Sequence, residues 1–140
     1  MSITWSISPN HFNWIEESDT FVSANDRPCK LEVEQSEFVK ALELHLSNLS
    51  IVSAESALGF TCDFYDSSQK WMGWINVSKD GYLSAHNPSP RFLCKIALWY
   101  RKYVPEECPL YFSNDMEDRY LEIDPNTTME EMIEFMGYDG

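Results

Sequence analysis

From Leu58 to Phe64 every second residue is apolar (Leu58, Phe60, Cys62, Phe64), and Gly59, Thr61 and Asp63 fill the gaps. A period of two sends one set to each face of a pleated strand, so this run predicts a half-buried strand. Asp66-Ser67-Ser68 turns the chain, and Trp71–Ser78 predicts a second strand. Asp80-Gly81 supplies the positive φ angles of a tight hairpin, and Tyr82–His86 returns as a third strand. Together they form an antiparallel meander. Upstream, Trp5 and Ile7 alternate with polar residues, as do Phe12 and Trp14, giving one or two short strands. Ser18-Asp19 and Asn25-Asp26-Arg27-Pro28 punctuate as turns.

Elsewhere the period changes. After a brief extension at Leu31 and Val33, the residues Phe38, Leu42, His45, Leu46 and Leu49 share one stripe of a helix from Ser36 to Leu49. A second helix opens at Ser89, an N-cap residue, with Pro90 in the first turn, and stops before Pro105. Phe92, Leu93, Ile96, Ala97, Trp99, Tyr100 and Tyr103 cover more than half of its surface. It is expected to be the most buried helix, packed on the meander. Pro109–Ser113 and Tyr120–Asp124 predict a strand pair around an acidic loop. Thr127 and Glu130 read as a capping box, Met129, Met132, Ile133 and Met136 as a helical stripe, and Gly137 as its stop. Without βαβ alternation, the fold class is α+β: an antiparallel sheet with a central meander, two packed helices and a short C-terminal helix in one domain, residues 1–140.

Charge changes this picture in one place. Of the 23 acidic residues, eleven lie between Glu106 and Asp139, where Arg119 is the only base. The C-terminal quarter therefore holds most of the chain's formal charge of -13. Such a surface repels nucleic acid and anionic lipid and speeds association with a basic protein. Aromatic content of 14% rules out a disordered acidic tail. Helix capping explains one or two carboxylates, and the surplus points to a partner. The candidate partner-binding residues are Asp115, Glu117, Asp118, Glu122 and Asp124 around the loop, with Glu130, Glu131 and Glu134 on the last helix.

A second candidate is aromatic. If Trp71, Ile75 and Val77 face inward, Met72 and Trp74 face the other way beside Tyr65, with Tyr82 a further candidate. Such a face is either a second packed layer or a protein-binding patch. Arg91, Lys95, Arg101 and Lys102 gather on the second helix, and with this net charge they are expected to pair with the C-terminal acids rather than bind nucleic acid.

Catalytic and metal signatures do not form. Asn114–Asp118 lacks the glycine turn and converging carboxylates of a calcium loop. Among His11, His45 and His86, only His86 is placed to approach a cysteine, Cys62, on one sheet. No phosphate-binding loop, nucleophile elbow or zinc-helix motif occurs, so no catalytic residue, metal or cofactor is expected. The four cysteines, Cys29, Cys62, Cys94 and Cys108, form no C-x-x-C pair. With no export signal or membrane span the chain is expected to be cytoplasmic, with four free thiols.

The stretch Ile96-Ala-Leu-Trp-Tyr-Arg-Lys-Tyr-Val-Pro105, followed by Pro109-Leu-Tyr-Phe112 and Thr127-Thr-Met-Glu-Glu-Met-Ile133, resembles small acidic immunity proteins of bacterial polymorphic or contact-dependent toxin systems. The likeness covers the C-terminal third and implies a cytoplasmic inhibitor that binds and neutralises a cognate toxin domain, often a basic nuclease. It carries no binding residue over. Two alternatives stand beside it: a phage-type DNA mimic that antagonises a nuclease or DNA-binding protein, and a small enzyme without a recognisable motif.

Overall fold

The structure is a computed structural model that describes residues 3–9, 12–15, 20–23, 31–86, 89–116 and 119–137, with the backbone alone for 12–15 and 20–23. In chain order the elements are β1 (Thr4–Ser8), β2 (Phe12–Ile15), β3 (Thr20–Ser23), α1 (Gln35–His45), β4 (Ser50–Glu55), β5 (Gly59–Tyr65) and β6 (Trp71–Ser78). There follow β7 (Leu83–His86), α2 (Pro90–Tyr103), β8 (Tyr111–Asn114), β9 (Tyr120–Glu122) and α3 (Met129–Met136). The turns expected at Ser18-Asp19 and Asn25–Pro28 lie outside the described residues.

Seven strands form one sheet in the order β4-β5-β6-β7-β1-β8-β9, with every neighbouring pair antiparallel, and β2 and β3 pair separately. The meander is β5-β6-β7, as its alternation predicts, and the α+β class holds. One face of the sheet is apolar: Trp5, Ile7, Phe60, Cys62, Phe64, Ile75, Val77, Leu83, Ala85 and Phe112 are all buried there. All three helices pack on it. Phe38 of α1 meets Phe60 edge-on, Phe92 of α2 meets Phe64, and Phe135 of α3 meets Trp5. Tyr100, fully buried, donates its hydroxyl to the Gly81 carbonyl at 2.8 Å and ties α2 to the β6–β7 turn.

Several expectations shift. α1 ends at His45, four residues before Leu49, because turn-forming Ser47-Asn48 follows and β-branched Ile51 and Val52 draw the chain into β4. That strand is not visible in the pattern, since Leu46 and Leu49 extend the helical stripe past the helix. Leu58 is 79% exposed, outside the strand that its spacing suggests. Only Gly81 in the β6–β7 turn has positive φ, at 90°, so Asp80 does not share that role. Phe92 and Trp99 are half-buried flanks of α2, whose inner face is Leu93, Cys94, Ile96, Ala97, Tyr100 and Arg101. The capping box of α3 pairs Thr128 with Glu131, one residue later than Thr127 and Glu130.

Two corrections bear on function. In β6 Trp71 pairs with Tyr65 and Gly73 with Phe64, so Met72 is an extra residue in a bulge, and Gly73 takes the φ of 144° that the bulge requires. The bulge reverses Trp71, which faces outward instead of joining Ile75 and Val77 in the core. In addition, Cys108 is disulfide-bonded, whereas Cys62 and Cys94 are free and buried. Four free thiols are therefore excluded; the remaining cysteine, Cys29, lies outside the described residues. Among the described residues no helix is long and apolar enough to cross a membrane.

Candidate partner-binding surfaces

The acidic surface gathers at the β9 end of the sheet. Asp115 follows β8, and its Oδ1 accepts the Thr4 N–H at 3.0 Å while its own N–H bonds the Thr4 carbonyl at 3.1 Å. That carboxylate fastens β1 to β8. Glu117 and Asp118 lie outside the described residues. Glu122 is exposed on β9, opposite Tyr111. Asp124 accepts the Asn126 N–H at 2.7 Å and shapes the turn into α3. Glu131 accepts the Thr128 N–H at 3.2 Å in the capping box, and Glu130 sits in the same first turn, where helix dipoles favour anions. Glu134 is exposed on the following turn.

Two arginines of this end donate to main-chain carbonyls. Arg119 donates to the Phe135 carbonyl at 2.7 Å and lies 4.3 Å over the Phe135 ring, where it offsets the negative end of α3. Arg101 is 6% exposed and donates to the carbonyls of Pro105 at 2.7 Å, Val104 at 3.3 Å and Ile123 at 3.4 Å. Its Nε, buried, has no partner. Burial pushes the guanidinium pKa down, and Glu106, Glu122 and Asp124 push it back up. Arg101 thus interacts with the acids at a distance, and its hydrogen bonds close the C-terminus of α2 rather than forming ion pairs.

The aromatic surface lies toward the other end. β6 and β7 pair only at Asn76↔Ser84 and Val77↔Leu83, although β6 reaches back to Trp71 and β7 on to His86. Beyond these pairs the strands part, leaving a small fork of about 80 Å³ lined by Trp71, Met72, Trp74 and His86 and floored by Phe92 and Ile96 of α2. Trp71 and Met72 are 51% and 42% exposed, and Trp74 and Tyr65 are half-buried. The Trp71 indole N–H donates to Asp63 Oδ1 at 2.9 Å, which fixes the ring on the outer face. Met72, Trp74 and Tyr65 therefore share a surface, as expected, and Trp71, expected in the core, joins them as its more exposed tryptophan. The signal for Trp71 is Gly73: a glycine inside a strand marks a bulge, and a bulge re-aims its neighbours.

The pairing of His86 with Cys62 does not form. Cys62 is on the buried face, with burial raising its thiol pKa to about 12, whereas His86 is exposed and hydrogen-bonded through Nδ1 to Thr4 Oγ1 at 3.2 Å. Among the described residues no group of three or more His, Cys, Asp or Glu side chains is arranged to hold a metal ion. Comparison with protein-family models, with curated proteins and with solved structures returns no match.

Proposed function

We propose that this chain is a non-catalytic inhibitor that binds a basic protein, in the manner of an immunity protein neutralising a toxin domain in the cytoplasm. The observation that carries the proposal is the fate of Arg101 at the β9 end. Arg101 spends its donors on main-chain carbonyls, while Glu106, Glu130 and Glu134 remain exposed at this end. Arg101, the buried base of this end, therefore takes up none of these acids in a direct ion pair. Exposed like charges cost stability through self-repulsion and raise the rate at which a basic partner is captured. The function needs no cofactor and no direct contact with nucleic acid or membrane. A cytoplasmic site of action also requires the protein to work with the Cys108 disulfide reduced.

The experiment is binding to a basic toxin domain encoded beside this chain, at low and high salt, with and without reductant. Reversing Glu122, Glu130 and Glu134 to Lys spares Asp115 and the capping box, and it should slow association about tenfold or more at low salt. Equal rates for wild type and variant at both salt concentrations would reduce the acidic end to a solubilising surface.

A further inference from the structure

We propose that the free edge of β4 accepts an extended, basic segment of a partner protein as an eighth strand of the sheet. β4 is the terminal strand of the sheet order and pairs with β5 alone, through six consecutive residues without a register shift. Among the described residues no main-chain hydrogen bond reaches it from the other side. An antiparallel edge strand turns the N–H and C=O of every second residue outward. Folded proteins blunt such edges with short strands, lysines, prolines or bulges. β9, at the opposite edge, is three residues long and ends in Glu122. β4, Ser50-Ile-Val-Ser-Ala-Glu55, has none of these devices, and its single charge is at its last position.

What lies around the edge selects the occupant. The Glu55 end opens into a groove lined by Glu32, Glu34, Glu37 and Glu55 against one base, Lys79. Glu34 caps α1 by accepting the Ser36 and Glu37 N–H groups. Glu32, Glu37 and Glu55 are exposed beside it. Across the sheet, the rows Ser50–Tyr65–Trp71 and Val52–Asp63–Trp74 run from β4 to the two tryptophans on one face. A strand added at β4 continues those rows: one set of its side chains lies flush with Val52, and a Lys or Arg near its end reaches the groove. Backbone pairing supplies affinity without sequence demands, and the carboxylates select positive charge. A second copy of the chain would bring another charge of -13 to the contact, so a basic partner is the occupant that fits. The inference rests on the basic-partner reading above, and it places a contact at the end of the sheet away from β9.

The probe is an acetylated, amidated eight-residue peptide of alternating valine and lysine, tested on the full chain against its fully N-methylated analogue. The analogue keeps the charge and donates no main-chain hydrogen bond. The parent should bind, and slow amide exchange in residues 50–55. N-methylation should weaken binding about tenfold or more, as should Glu32→Lys combined with Glu55→Lys, because each removes one of the two sources of affinity. Val52→Lys, which introduces an edge lysine, should act in the same direction without touching the groove. Absence of binding, equal binding of the N-methylated analogue, protection confined to α3, or dimerisation of the free chain through β4 would each overturn the proposal. Reversal of Glu130 and Glu134 should leave peptide binding unchanged. If that reversal abolishes toxin binding while the β4 variants bind the toxin domain as wild type does, the inhibitor reading stands and the strand-addition inference fails.

Discussion

The two ends of the sheet are protected by different means. At the β9 end the edge is short and charged, and Ser6, Ser8 and Tyr111 on the outward face of the neighbouring strands are buried. At the β4 end the edge is long and nearly uncharged, and Val52, Trp71 and Met72 meet solvent. Beneath the β4 end the stabilising contacts are apolar, with Phe38 packed among Phe60, Trp99, Tyr100 and Tyr103. At the β9 end a buried guanidinium joins α2 to the chain after β9. Charge therefore guards one edge and leaves the other available for pairing. Edge-to-edge aggregation at the bare edge is opposed by the carboxylates at its Glu55 end and by the chain's overall repulsion.

The contrast breaks most directly at its apolar end. Phe38→Ala removes a fully buried ring from four aromatic contacts and should cost ~3–5 kcal/mol in chemical unfolding, with little dependence on salt. A loss below ~1 kcal/mol would mean that α1 is peripheral. At the other end Arg101→Met should cost ~1–3 kcal/mol, because the Val104, Pro105 and Ile123 carbonyls lose their donor. That cost should shrink in high salt, as screening relieves Glu106, Glu122 and Asp124 of mutual repulsion. A cost that does not change with salt would show that Arg101 acts through its hydrogen bonds alone.

The smallest effect uses the two buried thiols as local reporters. Cys62 lies under the meander, and Cys94 lies 3.9 Å from Met136 near the end of α3. Short terminal helices open before central strands, so Cys94 should be labelled first in the native protein, and the reverse order would place the weaker region at the β4 end. Denatured protein should show fewer than four thiols before reduction and four after it. Burial raises the Cys62 and Cys94 pKa values to about 12 and about 11. The folded state thus holds these protons more tightly than the unfolded state. Their contribution to stability is complete below the ordinary thiol value of 9.0 and is lost as pH rises through about 11 to 12. Stability that stays flat across that interval would mean that the thiols are open to solvent.

How far the sequence could be read depended on the range of the forces at each position. The meander and α2 were legible because their periodicity and punctuation act within a few residues. β4 was not, because Leu46 and Leu49 prolong a helical stripe that the Ser47-Asn48 turn interrupts. The outward turn of Trp71 depended on a bulge, and only Gly73 signalled it. The acidic quarter was visible as composition, but the work of Asp115 needed a partner 111 residues away, and the Glu131 cap turned on a one-residue difference in where α3 begins. Arg101 was expected to pair with acids and instead caps carbonyls, a choice that helix C-terminal geometry makes and residue spacing does not reveal.

The position of β1 has a consequence for how the chain is made. Thr4 meets His86, 82 residues later, and Asp115, 111 residues later, so β1 joins the β4–β7 strands to the β8–β9 pair. During synthesis it leaves the ribosome before either neighbour exists. The β4–β7 sheet can assemble while β1 remains unpaired, with Trp5 and Ile7 exposed until β8 and α3 follow. Closure is then a late, long-range event, and a chain halted before residue 111 leaves β1 with only one of its two partners. A nascent chain stalled at that length should be captured by chaperones through those two side chains, and one released after α3 should not.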